Sequence, residues 1–231
     1  MKGSSETYLT DSYSAKNPAY YGNARRDYVA ALPVDGSAAI LELGCGNGAT
    51  GALALAEGKC GRYVGIEMFA PMAAQARRVL TAVHEGNVET LELPYEEGTF
   101  DALIMSEVLE HLLEPDIVLA RLVRLVKPGG RVFASSPNIA HWRPIWDLIN
   151  GRFEYQPQGL MDRTHLRWFT PDSYRRMFER AGVTVDSLRP LVSVSRPKQL
   201  VFALLGPRFA HLSCSQMNLH GHRSLRPHVP A

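Results

Sequence analysis

Residues 40–48 read Ile-Leu-Glu-Leu-Gly-Cys-Gly-Asn-Gly, an apolar strand that runs directly into three glycines at alternate positions. The next apolar strand, Tyr63-Val64-Gly65-Ile66, ends in Glu67, which stands 19 residues after Gly48. Such glycines let the backbone turn tightly and approach a ligand where any Cβ would collide, and an acidic residue ending the next strand can accept hydrogen bonds from ribose hydroxyls. The pattern predicts a nucleoside site in a doubly wound α/β sheet.

The spacing of the glycines differs from that of the dinucleotide fingerprint. Position 49 is Ala, where the fingerprint would place its third glycine, and Glu42 adds a carboxylate just before Gly44. A carboxylate at this place would repel a pyrophosphate but would suit a ligand that carries cationic groups. S-adenosylmethionine, with its sulfonium and ammonium groups, is such a ligand.

Further motifs follow the glycine loop in a fixed order. They are Asn87-Val88-Glu89, the apolar run Phe100-Asp101-Ala102-Leu103-Ile104-Met105, and Val126-Lys127-Pro128-Gly129-Gly130-Arg131-Val132. Together with the loop they cover roughly residues 38–136, and over this span the chain resembles the class I S-adenosylmethionine-dependent methyltransferases. The resemblance implies a mostly parallel, seven-stranded, Rossmann-like sheet with helices on both faces and an antiparallel last strand.

The resemblance also implies which residues contact S-adenosylmethionine, the expected cofactor. Many relatives carry Asp where this chain has Asn87, whose carbonyl oxygen can still accept from the adenine amino group, so we expect altered affinity. Tyr21 is expected to cover the cofactor and Arg25 to reach its carboxylate, although an entry helix packed on the sheet would explain both residues as well. The expected contacts are Tyr21, Arg25, Glu42, Gly44, Cys45, Gly46, Asn47, Gly48, Glu67, Met68, Asn87, Val88 and Ser106.

Length and composition fit one α/β domain with an insertion and a tail. The chain has 231 residues, of which 45% are hydrophobic, and this is enough for a core. Three cysteines without metal or disulfide spacing and a polar N-terminus predict a cytoplasmic protein, and no apolar run is long enough to cross a bilayer. The expected divisions are a lid at residues 1–36, a methyltransferase domain at 37–219 and a basic tail at 220–231.

Charge divides the chain into two unlike halves. Residues 1–120 carry a net charge of −9 and residues 121–231 a net charge of +11. Because the cofactor motifs lie in the acidic half, the basic excess falls on segments expected to face the substrate. This favours an anionic or carrier-linked small-molecule acceptor, while a solvated basic surface is the alternative.

Strands and helices alternate along the chain, which predicts a parallel sheet. The expected strands span residues 38–43, 62–67, 101–105, 131–135 and 183–188, with a final antiparallel strand near 214–218. The expected helices span about residues 23–32, 49–57, 70–83 and 115–126, and another begins at Thr170 and continues to Ala181.

Residues 138–170 interrupt this alternation and are predicted to form an acceptor-binding insertion. The stretch holds three Trp, two His and four Arg with little regular period. Asn138 and Trp142 are expected to contact the acceptor. Arg163 and Arg167 are expected to hold an anionic group through their guanidinium forks, although an ion pair with Asp162 or a surface role would also explain them.

Methyl transfer to a hydroxyl needs alignment and a base, and histidine suits the second task. His111, His141 and His165 are the candidates, while a packed, hydrogen-bonded histidine is the alternative for each residue of the insertion. Glu107, Glu110 and His111 can share one helical face and resemble a divalent-metal cluster of some ubiquinone-biosynthesis and small-RNA methyltransferases. Since the same string occurs in metal-free members, we expect no metal.

The leading hypothesis is methylation of an oxygen on a small acceptor, such as a sugar or natural-product precursor. The strings around His141 and His165 are similar to a branch of methyltransferases found with polysaccharide biosynthesis, and distantly to a methionine-biosynthesis accessory family. The alternative is therefore a cofactor-binding partner subunit without methyl transfer of its own. No base-methylation motif or recognition domain points to nucleic acid, and a homodimer is possible.

Overall fold

Seven strands form one sheet in the order β3-β2-β1-β4-β5-β7-β6. The computed structural model describes residues 23–193, 202, 204 and 206–225. Strands β1, β2, β3 and β4 pair in parallel, whereas β6 and β7 are antiparallel, which confirms the predicted fold class. The strands are β1 Ala39–Leu43, β2 Arg62–Glu67, β3 Ala82–Glu85, β4 Phe100–Ser106, β5 Val126–Pro137, β6 Val183–Ser193 and β7 Cys214–Arg223.

The helices of the described residues are short. They are α1 Arg26–Ala31, α2 Ala49–Ala56, α3 Ala70–Ala76, α4 Pro115–Leu125, α5 Trp142–Ile149 and α6 Pro171–Arg180, with 3₁₀ helices at Leu109–His111 and Pro207–Ser213. Within the described ranges, no helix has the length and apolar character that a bilayer crossing requires.

The chain divides into two compact units, of which the first holds residues 1–105 and 124–131. In this unit β1 is buried along its whole length. Tyr63 of β2 is fully buried, and a Cβ added to Gly51 would lie 2.5 Å from the Tyr63 ring. Glycine inside a helix lowers its stability by about 1 kcal/mol relative to alanine. At Gly51 it leaves space for the Tyr63 ring, which packs against α2.

The second unit holds residues 106–123 and 132–231. Helix α6 begins at a capping box, because the Thr170 side chain accepts from the Ser173 backbone N–H while Ser173 accepts from that of Thr170. The helix buries Tyr174 and Phe178, whose ring centroids are 5.0 Å apart. The aromatic face of α6 thus contributes to the core of this unit.

Several predicted boundaries are wrong. Helix α3 ends at Ala76, and the half-buried edge strand β3 follows where the helix was expected to continue, because its short Ala-Val-His-Glu sequence gives little periodic signal. Strand β5 begins at Val126, directly after α4, so the Lys127-Pro128-Gly129-Gly130 segment belongs to the strand. Residues 138–170 also contain a regular helix, α5, that their sequence period did not predict.

The C-terminal boundary also needs correction. Strand β7 continues to Arg223, which pairs with Val183, so the expected tail does not begin at residue 220. Alternate residues of β7, such as Met217 and Leu219, are buried, and this pattern explains the longer strand. Tyr21 and residues 226–231, which include the rest of the predicted tail, lie outside the described residues.

Gly65→Ala tests the packing of β2 against the glycine loop. A Cβ at Gly65 would lie 2.4 Å from Cys45 Sγ and 3.0 Å from Leu80 Cδ1. We expect this overpacking to lower the free energy of unfolding by about 1–3 kcal/mol in urea denaturation.

Gly36→Ala is the matched control, since no heavy atom lies within 4 Å of the added Cβ. We expect this variant to lose no stability. Equal unfolding midpoints for the two variants would contradict the packing described for β2.

Candidate active site

The glycine loop follows β1 in the first unit and turns through three left-handed residues. Gly44, Gly46 and Gly48 have φ angles of 71°, 54° and 84°. The backbone N–H groups of Gly44 and Cys45 donate to the Ile66 carbonyl oxygen at 2.8 and 3.2 Å, which fastens the loop to β2. At Gly48 a Cβ would lie 2.8 Å from Val79 Cγ2, so both conformation and space require glycine there.

The Glu67 carboxylate, at the end of β2, is bonded to the glycine loop. One oxygen accepts from the Gly46 N–H at 2.8 Å and the other from the Phe69 N–H, also at 2.8 Å. Burial raises the pKa of Glu67, while these backbone N–H bonds act in the opposite direction. Each oxygen keeps a second lone pair, so the carboxylate can still accept from the two hydroxyls of a ribose.

The Glu42 carboxyl group is buried next to the loop, with 3% of the residue exposed. The Tyr63 hydroxyl donates to Glu42 Oε2 at 2.9 Å. Burial raises the pKa of Glu42 to about 7, with hydrogen bonds from Tyr63 and Thr50 opposing the shift and the charge of Glu67 adding to it. The group therefore changes its charge close to neutral pH.

Arg25 lies near Glu42, but its guanidinium group has local partners. It lies 3.7 Å from the centroid of the Tyr28 ring and pairs with Asp27 at 2.8 Å. The Arg25 backbone N–H donates to Thr50 Oγ1 at 3.2 Å. Its expected contact with the cofactor carboxylate stays a prediction, since that contact would compete with Asp27.

Two asparagines of the predicted cofactor set stabilise turns. Asn47 Oδ1 accepts from the Ala49 N–H at 3.1 Å, and Asn87 Oδ1 accepts from the Glu89 N–H at 2.9 Å. The Asn87 oxygen predicted to meet an adenine amino group thus already holds one hydrogen bond. Among the other predicted contacts, Val88 and Cys45 are buried, and Met68 and Ser106 are half-buried.

The loop and its two carboxylates fit a nucleoside with a cationic group. A cradle of left-handed glycines that a Cβ would strain, a carboxylate at the end of the neighbouring strand and a second carboxylate beside the loop are all present in the first unit. These features suit ribose hydroxyls and positive charge, and they do not suit a pyrophosphate.

A second group of polar residues, the histidine cluster, consists of Glu110, His111 and His165 in the second unit. Their side-chain ligand atoms all lie within 4.8 Å of one another, and all three residues are buried. The two imidazole centroids are 4.8 Å apart. Ser136 Oγ donates to Glu110 Oε2 at 3.1 Å. The structure thus unites His111 and His165, which lie far apart in sequence and were each predicted as a base.

Hydrogen bonds to backbone carbonyls assign the tautomers of the two histidines. His111 Nδ1 lies 3.0 Å from the Thr164 carbonyl oxygen, and His165 Nδ1 lies 3.1 Å from that of Leu160. Because a carbonyl only accepts, each neutral ring carries its proton on Nδ1, and Nε2 is the acceptor nitrogen. Both imidazoles are therefore arranged to receive a proton or to bind a cation through Nε2.

The segment that carries His165 is held against the 3₁₀ helix of residues 109–111. The backbone N–H groups of Leu166 and Arg167 donate to the Glu110 carbonyl oxygen at 2.8 and 3.0 Å. The buried Asp162 carboxylate accepts from the N–H and hydroxyl of Thr164. Asp162 therefore shapes a turn within this segment, which differs from the ion pair considered from the sequence.

The two arginines predicted to hold an anionic group have different surroundings. The Arg167 guanidinium donates to the Leu113 carbonyl oxygen and lies 4.0 Å from Glu114 Oε1. These contacts connect Arg167 to the loop at residues 113–114. Arg163 is exposed, and its backbone N–H donates to the Gln156 carbonyl oxygen at 3.0 Å. The contact with an anionic acceptor remains a prediction for both arginines.

Asn138 has a structural role, and its predicted contact with the acceptor stays a prediction. The side chain is fully buried, and its nitrogen donates to the carbonyl oxygens of His211 and Cys214 at 3.0 and 2.7 Å. Its oxygen accepts from the Ala140 N–H at 2.9 Å. Both amide hydrogens are thus engaged inside the fold, where Asn138 links the end of β5 to the start of β7.

His141 and Trp142 lie at the start of α5. His141 is buried and occupies the N-cap position, with its ring centroid 5.7 Å from that of Trp142. His141 is not one of the three residues of the histidine cluster. Helix α5 and the following loop border a small groove of about 90 Å³, whose lining includes Pro144, Asp147, Arg152, Phe153, Glu154, Gln156 and Met161.

Sequence reasoning missed three hydroxyl side chains that contact the carboxyl groups of these sites. Tyr63 and Thr50 bond to Glu42, and Ser136 bonds to Glu110. A tyrosine in the apolar run Tyr63-Val64-Gly65-Ile66 was the available signal for Tyr63. No comparable signal marked Thr50 or Ser136, because their partners become neighbours only in the folded sheet.

Comparison with known proteins connects this geometry with a family. The family described as "Methyltransferase domain" matches residues 19–188. An uncharacterized 37.1 kDa protein in a transposon of Streptomyces fradiae is 30% identical over 87% of this chain and 58% of its own length. The ubiquinone biosynthesis O-methyltransferase of Aeromonas salmonicida is 32% identical over 64% of each chain. The chain thus spans less than two thirds of either relative.

A solved structure shows the same fold. The S-adenosylmethionine-dependent methyltransferase from Mesorhizobium loti superposes with a TM-score of 0.61 and 18% identity, covering 87% of this chain and 99% of that one.

Asn138→Ala tests the structural role of this amide. The substitution removes the donor from one buried and one partly buried carbonyl oxygen, and we expect the free energy of unfolding to fall by about 2–4 kcal/mol in urea denaturation. Asn150→Ala is the control, because this exposed amide donates to the Trp146 carbonyl oxygen. A loss no larger than that of the control would rule out the described role.

Glu42→Gln tests the buried charge through the pH dependence of stability. The pKa of Glu42 rises from 4.5 to about 7 on folding, so the unfolded state releases the proton first. Its contribution to stability is present below pH 4.5 and is lost as pH rises through about 7. Over this pH range the free energy of unfolding changes by up to about 3 kcal/mol through Glu42.

We therefore expect wild-type stability, measured by urea denaturation of the ligand-free protein at several pH values, to decline relative to that of Glu42→Gln over this window. Parallel pH profiles for the two proteins would contradict the described environment of Glu42.

Proposed function

The chain belongs to the methyltransferase domain family, and on this premise we propose that it is an S-adenosylmethionine-dependent methyltransferase that methylates a hydroxyl oxygen of a small acceptor. The observation that carries the proposal is the bond from the Gly46 N–H to the Glu67 carboxylate, which joins the left-handed glycine loop to the acidic end of β2. This arrangement suits a nucleoside, and Glu42 beside it suits a cation.

The residues that would hold the ribose and the positive charge of the cofactor belong to the first unit. Glu67 would accept from the ribose hydroxyls, the loop backbone at Gly44–Gly48 would lie against the ligand, and the Glu42 carboxylate would stabilise its positive charge. When bound, S-adenosylmethionine supplies a methyl group already activated by the sulfonium. The protein therefore has to align the acceptor and remove a proton from its hydroxyl.

The histidine cluster of the second unit supports a hydroxyl acceptor. With protons on Nδ1, His111 and His165 present Nε2 as the nitrogen that takes up the hydroxyl proton. The Glu110 carboxylate near the rings would stabilise the imidazolium that results. A base of this kind contributes about 10²- to 10⁴-fold to the rate of such reactions.

The choice of oxygen also draws on the relatives. One relative bears the name ubiquinone biosynthesis O-methyltransferase. We therefore consider two acceptors, a ring hydroxyl of an aromatic compound and the sugar hydroxyl expected from the sequence. A panel of catechols and of nucleotide-linked sugars, scored by radiolabelled methyl transfer, distinguishes the two acceptors.

Calorimetric titration with S-adenosylmethionine and with its demethylated product tests the cofactor assignment. We expect both ligands to bind with one site per chain, because they share the adenosine that the loop and Glu67 recognise. Failure of both to bind would refute the proposed function.

His165→Ala tests the base. We expect turnover to fall by about 10²-fold or more while calorimetric affinity for S-adenosylmethionine stays at the wild-type value, since His165 belongs to the histidine cluster and not to the glycine loop. His222→Ala is the control, because this histidine forms a surface pair with Asp186 at 3.0 Å. Full activity of His165→Ala would remove His165 from the mechanism.

The donor set of the histidine cluster would also suit a divalent cation. Carboxylate and imidazole nitrogen are common ligands, and the three side chains meet the spacing. Our prediction from the sequence is that no metal takes part. We therefore expect activity to survive chelation with EDTA, and a loss that added Mg²⁺ or Zn²⁺ restores would assign the cluster to a cation instead.

A further inference from the structure

Tyr63 has an unusual position for a tyrosine. It lies on β2 between Arg62 and Val64, is fully buried, and pairs in register with Ile40, two residues before Glu42. A Cβ on Gly51 would lie 2.5 and 2.6 Å from Tyr63 Cδ1 and Cε1. The missing side chain at Gly51 of α2 thus leaves space for the Tyr63 ring, and this ring position puts the hydroxyl within hydrogen-bonding distance of Glu42.

The Tyr63 hydroxyl is a donor throughout the physiological range. Its oxygen lies 2.9 Å from Glu42 Oε2. Burial, followed by the charge of Glu42, raises the pKa of Tyr63 well above its ordinary value, so the phenol keeps its proton. A buried hydrogen bond from a neutral donor to a carboxylate favours the ionised form of the acid.

The other groups around Glu42 act on its charge in different directions. Glu67 opposes ionisation through like charge, whereas Arg25 favours it through opposite charge. The Cys45 thiol is neutral, because burial raises its pKa strongly. The Thr50 hydroxyl donates to Glu42 and also accepts from the Arg25 backbone N–H, so Thr50 ties Glu42 to the start of α1.

We propose that Tyr63 is a positioning residue that keeps the Glu42 carboxyl oriented and ionised, so that the cofactor pocket prefers the cationic methyl donor over its uncharged-sulfur product. The inference rests on the proposed function, since it concerns the ligand of the same loop. The two ligands share their adenosine and amino-acid groups and differ by one methyl and one positive charge at sulfur. Only an ionised carboxylate discriminates between them through charge.

This preference has a consequence for turnover. A pocket that holds the cation more tightly than the neutral thioether releases the product after transfer and takes up fresh donor. Product inhibition is therefore weaker in a protein with the Tyr63 hydroxyl than in one without it.

Tyr63→Phe is the test, because it removes one oxygen and keeps the ring that fills the space under α2. Calorimetry measures the affinity for both ligands at several pH values between about 6 and about 9. We expect the donor to bind about tenfold more weakly at neutral pH, while product affinity changes by less than about threefold. The pH midpoint of donor affinity should also move upward, so that the loss shrinks at alkaline pH.

Tyr95→Phe is the matched control. Its hydroxyl bonds to His84 Nε2 at 2.6 Å in the same unit and has no contact with Glu42 among the described residues. We expect wild-type affinities and pH profile. Circular dichroism and unfolding midpoints verify that both variants are folded.

A second experiment does not depend on the stability of Tyr63→Phe. Glu42→Gln should lower the ratio of donor to product affinity and make it independent of pH, and Tyr63→Phe added to Glu42→Gln should change the ratio no further. Equal losses for both ligands with an unchanged pH midpoint would reduce Tyr63 to packing and overturn the inference. Absence of binding to the wild-type protein would instead refute the proposed function.

Discussion

The backbone conformation of the glycine loop is the constraint on which the first unit depends. Three residues at alternate positions adopt left-handed φ angles, and at Gly48 a side chain would also collide with Val79. The Ile66 carbonyl oxygen and the Glu67 carboxylate bond to the backbone N–H groups of this loop. Strand β2 thus positions the loop that follows β1, and a shift of β2 would displace the cofactor cradle.

Two acidic groups are buried next to the glycine loop. Glu42 and Glu67 are both removed from water, which raises the pKa of each, and the fold compensates through hydrogen bonds to the carboxylates. Glu67 receives backbone N–H donors, which substitutions other than proline keep, whereas Glu42 relies on hydroxyl groups. The position of the Glu67 carboxylate is therefore set by the backbone, whereas the pKa of Glu42 depends on which side chains surround it. This difference is the physical basis for assigning cation preference to Tyr63 and Glu42.

The sequence predicted the elements that strong local patterns specify. The apolar run of β1, the alternating glycines and the acidic end of β2 identified the sheet and the cofactor loop, because each signal lies within a few residues. Edge strand β3 and the full length of β7 were missed, since half-buried strands depend on pairing that local sequence does not encode. The hydrogen bonds of the Asn138 and Arg167 side chains were also not predicted, because their partners are backbone carbonyls distant in sequence.

The site was predictable to a similar extent. The sequence identified the three histidines as candidate bases. Only the fold brings His111 and His165 together and leaves His141 out of the cluster. Their tautomers depend on carbonyl oxygens that no sequence motif marks.

Backbone amide NMR of the protein titrated with the demethylated cofactor tests the central claim most directly. The account predicts that the largest chemical-shift changes fall on the loop amides of Gly44–Gly48 and on the residues at the end of β2. Saturable binding that leaves these amides unshifted would contradict it.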